Sequence, residues 1–138
     1  MELKESIGLN EDARKIRETV FVKEQGFTVE FDETDCKARH FVMYDGVKAI
    51  GCCRAFCEDD PKTYHIGRVA VLAEMRGKGI GLRIIEETEK ILQKDGAEKV
   101  ILSAQVRVKP FYEKLGYHAE GEIYYDEFCE HINMAKEL

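Results

Sequence analysis

Gly77, Gly79 and Gly81 stand at alternate positions in Leu72-Ala73-Glu74-Met75-Arg76-Gly77-Lys78-Gly79-Ile80-Gly81-Leu82. Glycines spaced in this way let a backbone approach a ligand closely and turn its amides inward. An amphipathic stretch follows, and as a helix it would add the positive end of its dipole at the same place. Arg76, Lys78 and Arg83 supply mobile positive charge beside it. Together these residues describe a cradle for a diphosphate; the plainer alternative is a glycine-rich turn before a helix. Two nucleotide motifs fit poorly. A Walker loop would end Gly-Lys-Ser/Thr, whereas Gly81 is followed by Leu82-Arg83. The dinucleotide fingerprint GxGxxG finds Leu82 where its third glycine belongs, and it belongs on the first βα unit of a parallel sheet.

The elements that must position this loop are legible on either side of it. Leu3 to Ser6 reads as a short first strand. Asn10 reads as an N-cap with Glu11 and Asp12 in the first turn, Ala13, Ile16 and Val20 recur at helical spacing, and Gly26 is the stop. Thr28 to Lys37, carrying Glu30, Asp32, Glu33 and Asp35, reads as an acidic, irregular loop. His40 to Tyr44 and Val47 to Ile50 flank Asp45-Gly46, a preferred hairpin turn, and the second strand continues through Arg54-Ala55-Phe56. A third strand, Tyr64 to Leu72, completes an antiparallel meander. Ile80, Ile84, Ile85, Thr88, Ile91 and Leu92 then form one helical stripe, ended by Asp95-Gly96. Val100-Ile101-Leu102 suits a buried parallel strand after a crossover helix. A short helix near Pro110 to Leu115 and a last strand within His131 to Lys136 close the chain. The order β-α-β-β-β-α-β-α-β predicts an α/β fold, a mixed sheet with helices on its faces.

Composition bounds the rest. The chain has 138 residues, 44% hydrophobic and 35% charged, which describes one globular domain over residues 1–138. No apolar run approaches the ~18 residues of a membrane span, and Met1 to Ser6 has no apolar signal region. The net charge of −6 argues against nucleic acid as the main partner. Five cysteines, Cys36, Cys52, Cys53, Cys57 and Cys129, form no CxxC pair, and adjacent Cys52 and Cys53 would point to opposite faces of a strand. They read as small core fillers in a reducing, cytoplasmic compartment, and no metal site is expected.

Arg76-Gly77-Lys78-Gly79-Ile80-Gly81 resembles the Q/R-x-x-G-x-G/A motif of the GCN5-related N-acetyltransferases, the GNAT superfamily. Arg68 to Leu72 looks like the strand that precedes that motif, and Phe111-Tyr112-Glu113-Lys114-Leu115-Gly116-Tyr117 looks like the family's FYEKLGF segment. Glu24-Gln25, Asp32 to Asp35, His40, Leu102 to Gln105 and His131 further resemble a small bacterial subgroup of ElaA or YjcF type. The resemblance covers roughly residues 16 to 136. It implies a GNAT fold whose fourth and fifth strands run parallel and splay apart to admit acetyl-CoA, a cosubstrate used without a metal. It implies that the backbone of Val69, Ala70 and Val71 holds the pantetheine and thioester. Arg76, Gly77, Lys78, Gly79, Ile80 and Gly81 would hold the pyrophosphate, Gln105 would reach the pantetheine, and Phe111 and Tyr112 would complete the cofactor-binding set.

The implied reaction is attack of an amine, of a small molecule or a protein, on a thioester. An alkylamine with a pKa of ~10 must lose a proton, so a base or water chain is needed. The oxyanion needs a backbone donor, which the amide near Val71 would supply. Tyr112 stands where the family keeps the tyrosine that protonates the departing thiolate. Among Glu24, Glu30, Asp32, Asp35, His40 and His131, Glu24 is the first choice of base, as it closes the helix that borders the acceptor cleft. The acidic stretch from Glu30 to Asp35 is either a solvated loop or a lure for a cationic amine. Two other readings stay open: an acyl-CoA-binding module or sensor without turnover, and a nucleotide-binding regulator. The resemblance also allows a homodimer, for which no apolar stripe in the sequence argues.

Overall fold

A glycine fixes the first hairpin. In the computed structural model, which describes residues 1–138, β2 (Arg39–Asp45) and β3 (Lys48–Phe56) pair antiparallel, with Asp45 opposite Lys48. The two loop residues are therefore Gly46 and Val47, one position on from the expected Asp45-Gly46. Gly46 takes φ +63°, so the left-handed residue comes first in the turn, as a II′ hairpin requires. β1 (Glu2–Ile7) pairs antiparallel with β2 and β4 (Thr63–Val71) with β3, so the antiparallel run has four strands.

Two helices clamp this run from opposite faces. α1 (Glu11–Arg17) starts where Asn10 Oδ1 accepts the Ala13 N–H at 2.7 Å, and it continues as a π-helical segment, Glu18–Glu24, to Gly26. Ala13, Ile16, Val20 and Phe21 pack on Val42, Cys52 and Ala70. On the other face α3 (Ile80–Lys94) lays Ile80, Ile84, Ile85 and Leu92 on Phe41, Met43, Ile50, Cys53 and Val100. Cys52 and Cys53 thus serve different cores, as strand alternation demands. The sheet meets α3 most closely at Gly51, where a Cβ would lie 2.7 Å from Ile84 Cδ1 and 3.0 Å from the Ala70 carbonyl.

The parallel part of the sheet holds the opening. β5 (Lys99–Gln105) pairs with β4 through only Thr63–Lys99, Tyr64–Val100 and His65–Ile101. Beyond that point β4 carries a bulge: Cys52 faces Ala70 but Arg54 faces Gly67, and Arg68 takes φ +52°. β5 instead follows β7 (Cys129–Glu137) along its whole length. The two parallel strands therefore part at their carboxyl ends, where open α/β sheets bind ligands. α4 (Lys109–Lys114), with Pro110 in its first turn, comes next.

Two elements differ from expectation. β6 (His118–Asp126) follows α4 and forms the outer edge beside β7, giving the order β1-β2-β3-β4-β5-β7-β6. All of its residues but Ala119 are exposed, and its register with β7 shifts between Glu120 and Tyr124. An edge strand of that kind has no buried face and so no apolar alternation. The stretch expected to be irregular ends in a one-turn helix, α2 (Thr34–Lys37). No helix is long and apolar enough to cross a membrane.

Candidate active site

The parting of β4 from β5 creates a cavity of about 400 Å³. β4 lines it with Ile66 to Val71, the segment that β5 leaves without a partner. Gln105 comes from β5, Tyr112 from α4, His131 from β7, and Glu24 and Gln25 from the end of the π-helical segment. Val69, Ala70, Val71, Arg76, Gln105, Tyr112 and Glu24 therefore line one cavity, although up to 88 positions separate Glu24 from Tyr112 in the sequence.

The glycine loop lies just outside this cavity and joins it at Arg76. Gly77 and Gly79 take φ of +78° and +76°, and a Cβ on either would meet nothing within 4 Å. The conformation thus requires glycine, while the space ahead of it is open. Gly79 is the N-cap of α3, and no side chain caps this helix. Its first-turn amides are free for an anion, with the helix dipole behind them. Ile80 is buried in the core, so only its backbone faces the loop. Gly81 is small for another reason: a Cβ there would lie 3.4 Å from Phe111 Cζ, so Phe111 braces the loop and stands outside the cavity. Open space thus lies ahead of the free amides of the loop, and an unpaired strand edge lies behind it.

Several expected ligand-binding groups have partners within the protein. Arg76 Nε donates to the Val71 carbonyl at 2.9 Å, and its Nη2 lies 3.0 Å from Glu24 Oε2. Gln105 Nε2 donates to Gln25 Oε1 at 2.8 Å. Glu24 and Gln25 thus reach opposite sides of the gap from adjacent positions, and a π-helical turn often marks such a place. Arg83 pairs with Glu87 at 2.5 Å, leaving Lys78 as the member of the basic island without an ion pair.

Tyr112 is 8% exposed and is held edge-on by the rings of Phe111 and Tyr117, with centroids 5.0 and 5.9 Å away. Burial, with the Cys53 thiol nearby, pushes its phenol well above the ordinary range, so it holds its proton. His40 is buried with Nε2 3.0 Å from the Asp35 carbonyl, and burial lowers its pKa.

Most of the acidic stretch is paired within the protein. Arg17, 1% exposed, donates to Glu30 at 2.9 Å and to Asp35 at 2.7 and 3.1 Å. Arg54 donates to Asp32 at 2.7 Å and to Asp35 at 2.8 Å, and Arg68 Nε lies 3.1 Å from Glu30. Three of its four carboxylates thus meet three guanidiniums, and Glu33 alone is exposed without an ion-pair partner. Sequence reasoning missed these arginines, though Arg17 falls on the apolar stripe of α1, four residues after Ala13. Glu30, one of the candidate bases, lines the cavity, as do Arg68, Gln25, Arg107 and Asp126, which the sequence did not mark as binding residues.

Comparison with known proteins agrees with this geometry. Residues 10–138 match the acetyltransferase (GNAT) domain. The chain is 37% identical over 129 residues to a Bacillus subtilis (strain 168) protein named uncharacterized N-acetyltransferase YjcF, covering 91% of each. The crystal structure of Escherichia coli ElaA superposes with a TM-score of 0.87 at 26% identity, covering 99% of both chains. The same fold recurs in aminoglycoside 6′-N-acetyltransferase complexed with coenzyme A, with a TM-score of 0.75 at 16% identity over 99% of this chain and 97% of that one. With its sheet parted at β4 and β5 and its glycine loop opening α3, the chain belongs to the GNAT acetyltransferase family, in the ElaA/YjcF-like subgroup.

Proposed function

We propose that the protein transfers the acetyl group of acetyl-CoA to a primary amine of a small molecule or protein, by direct attack in a ternary complex. The observation that carries this reading is the unpaired edge of β4 from Ile66 to Val71. That edge faces a cavity which holds the Tyr112 side chain and leads to the uncapped start of α3. Val69, Ala70 and Val71 bind the pantetheine as a strand would, and their amides sit where an oxyanion needs a donor. The amides from Gly77 to Gly81 take the pyrophosphate, with Lys78 and Arg76 adding charge. Phe111 keeps the loop in place, and Gln105 turns from Gln25 to the pantetheine. Glu24 helps to place Arg76 between the strand edge and the loop. Tyr112 gives its proton to the departing sulfur. Burial raises the phenol, and it raises a thiolate in the same cavity in the same sense, so the proton passes between groups shifted alike.

The decisive experiment follows CoA release with a thiol reagent across a panel of amines. Turnover with at least one amine supports the enzyme, whereas tight acetyl-CoA binding without turnover on any amine would favour the binding module. Tyr112→Phe is expected to lower kcat by about 100-fold, as loss of a general acid does, with acetyl-CoA affinity held within twofold by calorimetry. An unchanged kcat would refute the acid role.

A further inference from the structure

We infer that His131 is the general base that takes the acceptor's proton, an assignment that rests on the acetyl-transfer reading above. Its Nδ1 lies 3.0 Å from the Cys129 carbonyl oxygen. A carbonyl only accepts, so Nδ1 carries the hydrogen and the lone pair of the neutral ring is on Nε2. That Nε2 has no partner in the protein, and it is not sealed in, since Arg54 Nε is the buried side-chain nitrogen or oxygen left without one. His131 lines the cavity, so its lone pair opens there.

The ring is also fixed in place. Tyr124 stacks on it with centroids 6.0 Å apart and planes at 28°, and Phe27 meets it edge-on at 6.4 Å. Tyr124 is itself held by hydrogen bonds to Ser103 and to Asn133 Oδ1. His131 stands directly opposite Gln105 in the β5–β7 register. It therefore shares a sheet face with Gln105, across the gap from the β4 edge where the thioester would lie. The other candidate carboxylates are occupied, Glu24 by Arg76, Glu30 by Arg17 and Arg68, and Asp32 and Asp35 by Arg54, while His40 is buried away from the cavity lining.

The proton count closes. His131 Nε2 takes a proton from the acceptor's ammonium, and the freed nitrogen lone pair forms the C–N bond at the thioester carbon. The C–S bond then breaks, and the sulfur takes the Tyr112 proton. The second nitrogen proton returns to the Tyr112 oxygen, and the imidazolium releases its proton to solvent. The products are an amide, free CoA thiol and one proton.

The titratable groups facing this imidazole are Tyr124 and Asp126 from β6, Arg107 beyond β5, and Arg68, Glu24, Glu30 and Tyr112 across the cavity. His131→Gln keeps a polar side chain of similar reach but cannot take up a proton. It is expected to lower kcat by about 100-fold while acetyl-CoA affinity stays within twofold. In His131→Gln the acceptor must lose its proton without the ring, so the variant's rate should keep rising with pH towards the amine's own pKa of ~10, where the wild-type profile has already levelled off. Added imidazole should restore part of the rate to His131→Ala. A kcat within threefold of wild type, or a pH–rate profile of His131→Gln that follows that of the wild type, would overturn the assignment while leaving the acetyltransferase reading intact. A wild-type protein that binds acetyl-CoA and acetylates no amine would overturn both.

Discussion

Gly79→Glu will lose acetyl-CoA binding, by at least 100-fold in Kd measured by calorimetry, while the protein remains folded. Two effects act together. Gly79 has φ +76°, and a residue with a Cβ pays about 1–2 kcal/mol to stay left-handed. The open space ahead of it is also the space for the diphosphate, and the new carboxylate would stand in it with like charge. Folding is protected because a carboxylate at the start of a 15-residue helix interacts favourably with the dipole. Gly79→Ala separates the contributions, since it carries the strain and a single methyl group without the charge. It should weaken binding by about tenfold, the equivalent of ~1.4 kcal/mol. If Gly79→Glu binds acetyl-CoA as the wild type does, the pyrophosphate does not lie in this loop.

That loop was legible because a left-handed backbone demands glycine locally, whatever the rest of the chain does. α3 was legible for a similar reason, since its burial follows a 3.6-residue period. Where two local solutions exist, the sequence is ambiguous. Asp45-Gly46 and Gly46-Val47 both put a glycine in the hairpin, and only the pairing of Asp45 with Lys48 decides between them. β6 was hidden because an edge strand exposed on both faces has no period to read. The charge pairing was hidden because it is made in three dimensions. Arg17 finds Asp35 across 18 positions, and Arg76 finds Glu24 across 52. Net charge alone made Glu30 to Asp35 look like a surplus, and the arginines that pair with Glu30, Asp32 and Asp35 come from α1, β3 and the bulge of β4. The ranking of Glu24 above His131 among the candidate bases has the same origin. A helix-end glutamate looked free until Arg76 met it, and nothing in the sequence tells His131 that its Nδ1 will face a carbonyl.

Asp35→Ala will destabilise the fold by about 3–5 kcal/mol, the usual cost of breaking a buried ion pair from one side, and will lower Tm by on the order of 10 °C. Asp35 is 4% exposed and accepts from Arg17, from Arg54 at 2.8 Å and from the Asp32 N–H at 3.0 Å. Its removal leaves the 1% exposed Arg17 guanidinium with two donors bare in the core beside α1. Pairing it with Arg17→Met should recover part of the loss, because the stranded charge is then gone as well. The same cluster sets the response to acid. Burial opposes ionisation of Asp35, but the hydrogen bonds from Arg17, the Asp32 N–H and Arg54 outweigh it and hold the folded pKa well below the ordinary value. Asp32 is lowered too, chiefly by its hydrogen bond from Arg54. The unfolded chain then binds more protons below ~pH 4, so the stability these carboxylates give is complete above that pH and is lost as pH falls further. His40, lowered by burial, acts in the same direction from ~pH 6.5 downward, since the unfolded chain protonates it first. Glu30 acts against them, because burial raises its pKa and protonation relieves the folded state. Wild-type Tm should therefore fall on acidification, and Asp35→Ala should start lower at pH 7 yet lose less below pH 4. A variant that melts within about 2 °C of wild type would mean that this carboxylate is not the keystone, and that Glu30 and Asp32 suffice to hold Arg17, Arg54 and the Arg68 bulge at the wall of the cavity.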